Sequence, residues 1–300
     1  MRRTLPLIGS FCAAVCAGFV TNGQALDKSL YLGVIEHSLA DCEGYVSTTP
    51  YMVRAAFHWK GNDWKALPDK RESAAEFPER ATWTIALDGK NLGQIHTTRP
   101  PDWEGGSHIG LLQPDPREKL NPIPSPPEEF PYFFCGGYDR PIVVVSKPNF
   151  TDPDQWKAAD VPEDVVRRLI PFFRKEVASI PLSCVDESTD NPHGPYADSL
   201  IQVRKSYVSA AGARLVQLAL PDSAAPQCDV DEEWDAPRWF YVRGETIRVL
   251  GASLYLIDAG DYDGDGHSEA VFLHDAYNYN GYVLFYDGFR KQAEFGWTYN

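Results

Sequence analysis

Beyond its first 25 residues the sequence has no apolar run of the roughly 20 residues that a membrane-crossing helix needs. Positive charge is scarce. Lys and Arg total 28 against 42 Asp and Glu, and the net charge is −14. That shortage argues against the basic stripe by which proteins hold nucleic acid, and it works against adsorption to anionic lipid. We expect no nucleic-acid partner and no stable membrane insertion. No C-x-x-C pair occurs, which argues against zinc ribbons and thioredoxin-like redox chemistry. The motifs of common catalysis are missing too: there is no G-x-S-x-G, H-E-x-x-H, P-loop or G-x-G-x-x-G. Ser107 and His108 are adjacent, but neighbours on a strand point to opposite faces. His274-Asp275 stands without the further ligands of a metal hydrolase. The expectation is a protein that is not an enzyme.

What is present begins with an export signal. Arg2 and Arg3 precede an apolar stretch from Leu5 to Val20, and Gly23-Gln24-Ala25 has the small-x-small form of a cleavage site. Cleavage after Ala25 predicts a periplasmic or secreted chain of residues 26–300. Losing two arginines and no acid takes its net charge from −14 to −16. Four cysteines remain, Cys42, Cys135, Cys184 and Cys228. An even count suits disulfides in an oxidising compartment, with the pairing open.

The densest chemistry lies in Gly260-Asp-Tyr-Asp-Gly-Asp-Gly-His-Ser-Glu269. Asp261, Asp263, Asp265 and Glu269 hold positions 1, 3, 5 and 9 of one short loop. Left alone, these carboxylates repel one another. A hard divalent cation removes that cost, and calcium accepts roughly six to eight oxygens in flexible geometry. Gly264 and Gly266 let the backbone take positive φ, so that alternate side chains converge. The peptide carbonyl of His267 falls where such loops add a backbone oxygen. The expected metal site is therefore Asp261, Asp263, Asp265, His267 and Glu269, with calcium as the cofactor. An EF-hand does not fit. Its twelfth position needs Glu and here is Phe272, and the flanks Ser253–Asp258 and Ala270–Leu273 read as strands where an EF-hand has helices.

The pattern D-x-D-G-D-G-x-x-E before an apolar strand resembles the calcium loop of FG-GAP/VCBS repeats, the integrin-like β-propeller blades. The resemblance covers about residues 250–290, one repeat's length. It implies that Asp261, Asp263, Asp265 and Glu269 bind calcium between two strands of a blade. There is one copy of the loop, and the Phe-Gly…Gly-Ala-Pro signature is absent. The wider chain resembles uncharacterised exported bacterial proteins that end in one such loop and a strand like Gly281–Phe289. That resemblance implies no chemistry.

Elsewhere, β-branched and aromatic arms flank glycine turns, the pattern of hairpins. Residues 29–36 read as a strand. Val53–Trp59 and Asp63–Leu67 face each other across Lys60-Gly61-Asn62, and Ala81–Leu87 meets Asn91–Ile95 across Asp88-Gly89-Lys90. Turns recur at Arg243-Gly244-Glu245 and Asp287-Gly288-Phe289, without a fixed period. The aromatics of these arms are expected in the core. Tyr277, Asn278, Tyr279 and Asn280 are candidates for an exposed binding loop. Seven prolines between Pro114 and Pro131 predict an extended loop and a possible internal boundary. One helix is expected at about 162–179. Asp160 can cap it, Pro162 sits in its first turn, and Val165, Leu169, Phe173 and Val177 form an apolar row. Pro171 should kink or divide it.

The fold class is mainly β: antiparallel hairpins in a propeller-like or layered arrangement, with one inserted helix, in a single domain from 26 to 300. The expected function is non-catalytic, a structural or recognition role in the cell envelope or outside the cell. A protein or a glycan would be the partner. The alternative is a secreted glycan hydrolase with carboxylate acid and base, for which Asp229–Asp235 offers acidic side chains.

Overall fold

A strand with one apolar face must bury it, and a strand apolar on both faces must lie between two layers. Both kinds occur here. A computed structural model describes residues 29–37, 51–103, 108–115, 129–130, 138–178, 198–221, 236–276 and 278–298. The expected export signal, all the cysteines, the Asp229–Asp235 cluster and most of the proline-rich stretch lie outside these residues.

The first layer is built from β1 (Leu30–His37), β2 (Tyr51–Lys60), β3 (Asp63–Ala66), β4 (Arg80–Leu87), β5 (Lys90–Thr98) and β6 (Leu111–Pro114), with a late strand from further along the chain. After the small pair β7 (Glu129–Phe130) and β8 (Tyr138–Asp139), β9 (Ile142–Val145) inserts between β1 and β4. Because β1 also pairs with β2, the ring β1-β9-β4-β5-β6-β2 closes on itself, with β3 attached to β2. Closure leaves those six strands without a free edge. The Gly61-Asn62 and Asp88-Gly89 turns have positive φ at both residues, as tight two-residue hairpins need.

The second layer is the antiparallel sheet of β10 (Lys157–Ala158), β11 (Gln202–Val208), β12 (Arg214–Ala219), β13 (Arg238–Arg243) and β14 (Thr246–Ala252). Helix α1 (Glu163–Ala178) lies on its outer face. Leu169, Phe173 and Val177 of the expected apolar row are buried against Val216, Leu218, Phe240 and Val242. The helix starts after Pro162, whose carbonyl accepts from the N–H groups of Val165 and Val166. Pro171 does not divide it. That residue is on the exposed face, where the carbonyl that proline leaves unbonded is not enclosed by the core.

The third sheet is the meander β15 (Leu254–Gly260), β16 (Glu269–Ala276), β17 (Tyr279–Tyr286) and β18 (Lys291–Thr298). It is the middle layer. Ala270, Phe272, Val283 and Phe285 pack toward Leu215, Trp239 and Tyr241 of the second sheet. Val271, Leu273, Tyr282, Leu284 and Phe295 pack toward the first sheet, among Leu32, Val53 and Trp83. Burial on both faces explains why Ala270–Leu273 and Tyr282–Tyr286 read as unbroken apolar runs. The protein is thus mainly β, antiparallel and layered, with one α-helix among the described residues. Strand β17 ends at Tyr286, and Asp287-Gly288-Phe289 belongs to the turn that follows. Among the described residues no helix is long and apolar enough to cross a membrane.

Candidate metal centre

The acidic loop joins the first two strands of the middle sheet. Gly260 pairs with Glu269, so residues 261–268 form the connection between β15 and β16. The strand leading in is bulged between Leu256 and Asp258. The extra residue sends both Ile257 and Asp258 toward the first sheet: Ile257 joins the shared core, and Asp258 Oδ2 accepts from the Asp88 N–H at 3.0 Å. The β4–β5 turn is thereby fixed to the root of the loop.

Within the loop each aspartate organises the backbone behind it. Asp261 accepts from Gly264 N–H on Oδ1 (2.5 Å) and from Gly266 N–H on Oδ2 (3.2 Å). Asp263 Oδ1 accepts from Asp265 N–H at 2.9 Å, and Asp265 Oδ1 from His267 N–H at 2.7 Å. Gly264 and Gly266 sit at φ +90° and +87°, the left-handed region this winding demands. The result gathers Asp261, Asp263 and Asp265, with one carboxylate oxygen of each within 4.8 Å of the others. Their exposure rises along the loop, from buried Asp261 through half-buried Asp263 to exposed Asp265.

The remaining expected ligands stand differently. Glu269 is outside that group of three, with 1% of its surface exposed, and its Oε2 accepts from Tyr262 N–H at 2.7 Å. His267, expected to offer its peptide carbonyl, is exposed, and its N–H donates to Asp265 Oδ1. Burial, and next the charge of Asp263, push the Glu269 carboxyl up to about 9. Burial and the neighbouring Asp265 and Asp261 also raise Asp263. A carboxyl so placed either holds a proton or faces a cation, which inverts these shifts. The donor set is all oxygen and anionic, with no thiolate. It suits a hard divalent ion such as calcium.

Sequence reading overlooked the residues that hold the loop from behind. They lie in 147–156, the segment leaving β9. Asp261 N–H donates to Thr151 O at 2.9 Å. Ser268 Oγ donates to Asp152 Oδ1 at 2.6 Å, and Ser268 N–H to Asp154 Oδ2 at 3.0 Å. Lys147 Nζ donates to Asp261 O at 2.7 Å and lies 3.7 Å from Asp261 Oδ1. The one signal in the sequence is Asp152-Pro153-Asp154, spaced carboxylates in a stiff turn. It reads as an ordinary solvated loop until the fold brings it to Ser268.

The other candidates are structural. His274 Nδ1 and Tyr279 O–H both meet Glu294 Oε1, at 3.0 and 2.9 Å. The expected exposed loop over 277–280 is corrected in part. Asn280 is buried and Tyr279 half-buried, because both already belong to β17, and exposed Asn278 precedes that strand at φ +56°. Tyr277 lies outside the described residues. The strand aromatics Trp64, Trp83, Trp239 and Phe272 are buried.

Comparison with protein-family models, with curated proteins and with solved structures finds no match to this chain.

Proposed function

We propose that this protein is an exported, non-catalytic calcium-binding β protein. Its calcium staples the middle sheet, and its role is structural or one of recognition, in the cell envelope or outside the cell. One observation carries the reading: three aspartate carboxylates gathered within 4.8 Å at the mouth of a β-hairpin, above the buried Glu269. A divalent cation held among them would relieve their mutual repulsion. The spacing shared with FG-GAP/VCBS calcium loops supports the same identity for the ion. The export-type N-terminal residues support a compartment where calcium is plentiful.

An ion that binds only the folded loop stabilises the fold by mass action, by about 2.7 kcal/mol at a hundredfold excess over Kd. Calcium should therefore raise the melting temperature by several degrees over a chelated sample. Asp263→Ala should abolish the rise while the protein still folds. The same melting curve with calcium and with chelator would overturn the proposal.

A further inference from the structure

The acidic loop already has a cation beside it. Lys147 leaves the end of β9, where Thr84 Oγ1 donates to its carbonyl and Ser146 N–H donates to Tyr31 O at 2.9 Å. Its backbone is therefore anchored on the first sheet. Its side chain crosses to the loop and is about a fifth exposed, at 21%. The ammonium meets Asp261 O at 2.7 Å and stands 3.7 Å from Asp261 Oδ1. It also lies 3.6 Å from where a Cβ on Gly264 would be. Any ion held by the most buried aspartate must sit close to this fixed positive charge. Like charges a few ångströms apart in a partly desolvated site repel strongly.

We propose that Lys147 is a resident countercharge: it keeps the loop folded without an ion and holds calcium affinity low. The inference rests on the calcium reading above. It places the site in the roughly 0.1–1 mM class of extracellular calcium modules. Two consequences follow from one group. The ion-free loop is preformed, because the lysine offsets part of the carboxylate repulsion. The bound state is weakened, because calcium and the ammonium compete for Asp261.

The test is calorimetric titration of the full chain with calcium, alongside melting curves. Lys147→Gln keeps a donor for the Asp261 carbonyl and removes the charge. Lys147→Arg keeps the charge. Lys147→Gln should bind calcium about tenfold more tightly than the parent and melt lower without calcium, whereas Lys147→Arg should stay within about threefold of the parent. If Lys147→Gln is too unstable to titrate without calcium, its affinity is read from the rise of its melting midpoint with calcium. Calcium binding of equal or lower affinity in Lys147→Gln overturns the countercharge and leaves the calcium site standing. No binding by any of the three folded proteins overturns both.

Discussion

Phe150 occupies the space that a side chain on Gly260 would need. A Cβ at Gly260 would lie 2.1 Å from a carbon of the Phe150 ring, and the same ring stacks on Tyr262 at 5.5 Å between centroids. The last residue of β15 and the second residue of the loop are thus both keyed to a side chain more than a hundred positions earlier. Gly260→Ala should cost about 1–3 kcal/mol by overpacking. In a Phe150→Ala background the same substitution should cost clearly less, because the clash is gone. Equal penalties in both backgrounds, measured by urea unfolding, would show that the contact does not matter.

Ser268 is the clasp between the loop and the 147–156 segment. Ser268→Ala removes the 2.6 Å bond to Asp152 and leaves a half-buried carboxylate short of a donor. We expect a loss of about 1–2 kcal/mol. Calcium affinity should fall several-fold although no proposed ligand is touched. Calorimetry on the folded variant separates this from an unchanged site.

Stability without calcium should fall as pH rises. The Asp258 carboxyl is lifted from 3.8 to about 7, chiefly by burial, and the Glu269 carboxyl from 4.5 to about 9. Both folded values exceed the unfolded ones, so the folded chain holds protons that the unfolded chain releases. That stabilisation is complete below about pH 4 and is lost through about pH 7 for Asp258 and about pH 9 for Glu269. Asp258→Asn should flatten the lower part of the decline and Glu269→Gln the upper part. Calcium, by favouring the Glu269 carboxylate, should flatten the upper part in the parent protein. Urea midpoints measured in chelator across this range decide it, and a parent protein equally stable at both ends would contradict it.

Arg54 and Glu36 tie the first sheet to the meander. The guanidinium is 3% exposed, bonds both Glu36 oxygens and Ile109 O, and lies 3.9 Å over the Trp297 ring. Tyr282 O–H from the middle sheet donates to the same Glu36 at 2.7 Å. Glu36→Gln leaves the buried charge without its carboxylate. With Glu36 itself 23% exposed, the expected cost is near the low end for a broken buried pair, about 3 kcal/mol. Chemical denaturation would refute this with a loss below about 1 kcal/mol.

Much of this protein is written locally. The Gly61-Asn62 and Asp88-Gly89 hairpins follow from turn chemistry, and α1 follows from the four-residue spacing of Leu169, Phe173 and Val177. The convergence of Asp261, Asp263 and Asp265 follows from alternation around Gly264 and Gly266. Each is a short-range effect, fixed by backbone sterics and side-chain period within a few residues. Tertiary structure alone decided that β15–β18 is the middle layer, since an apolar run records that it is buried and not what buries it. It alone brought Lys147, Asp152 and Asp154 to a loop more than a hundred residues away. Such meetings depend on how whole sheets pack, and no local pattern carries that information.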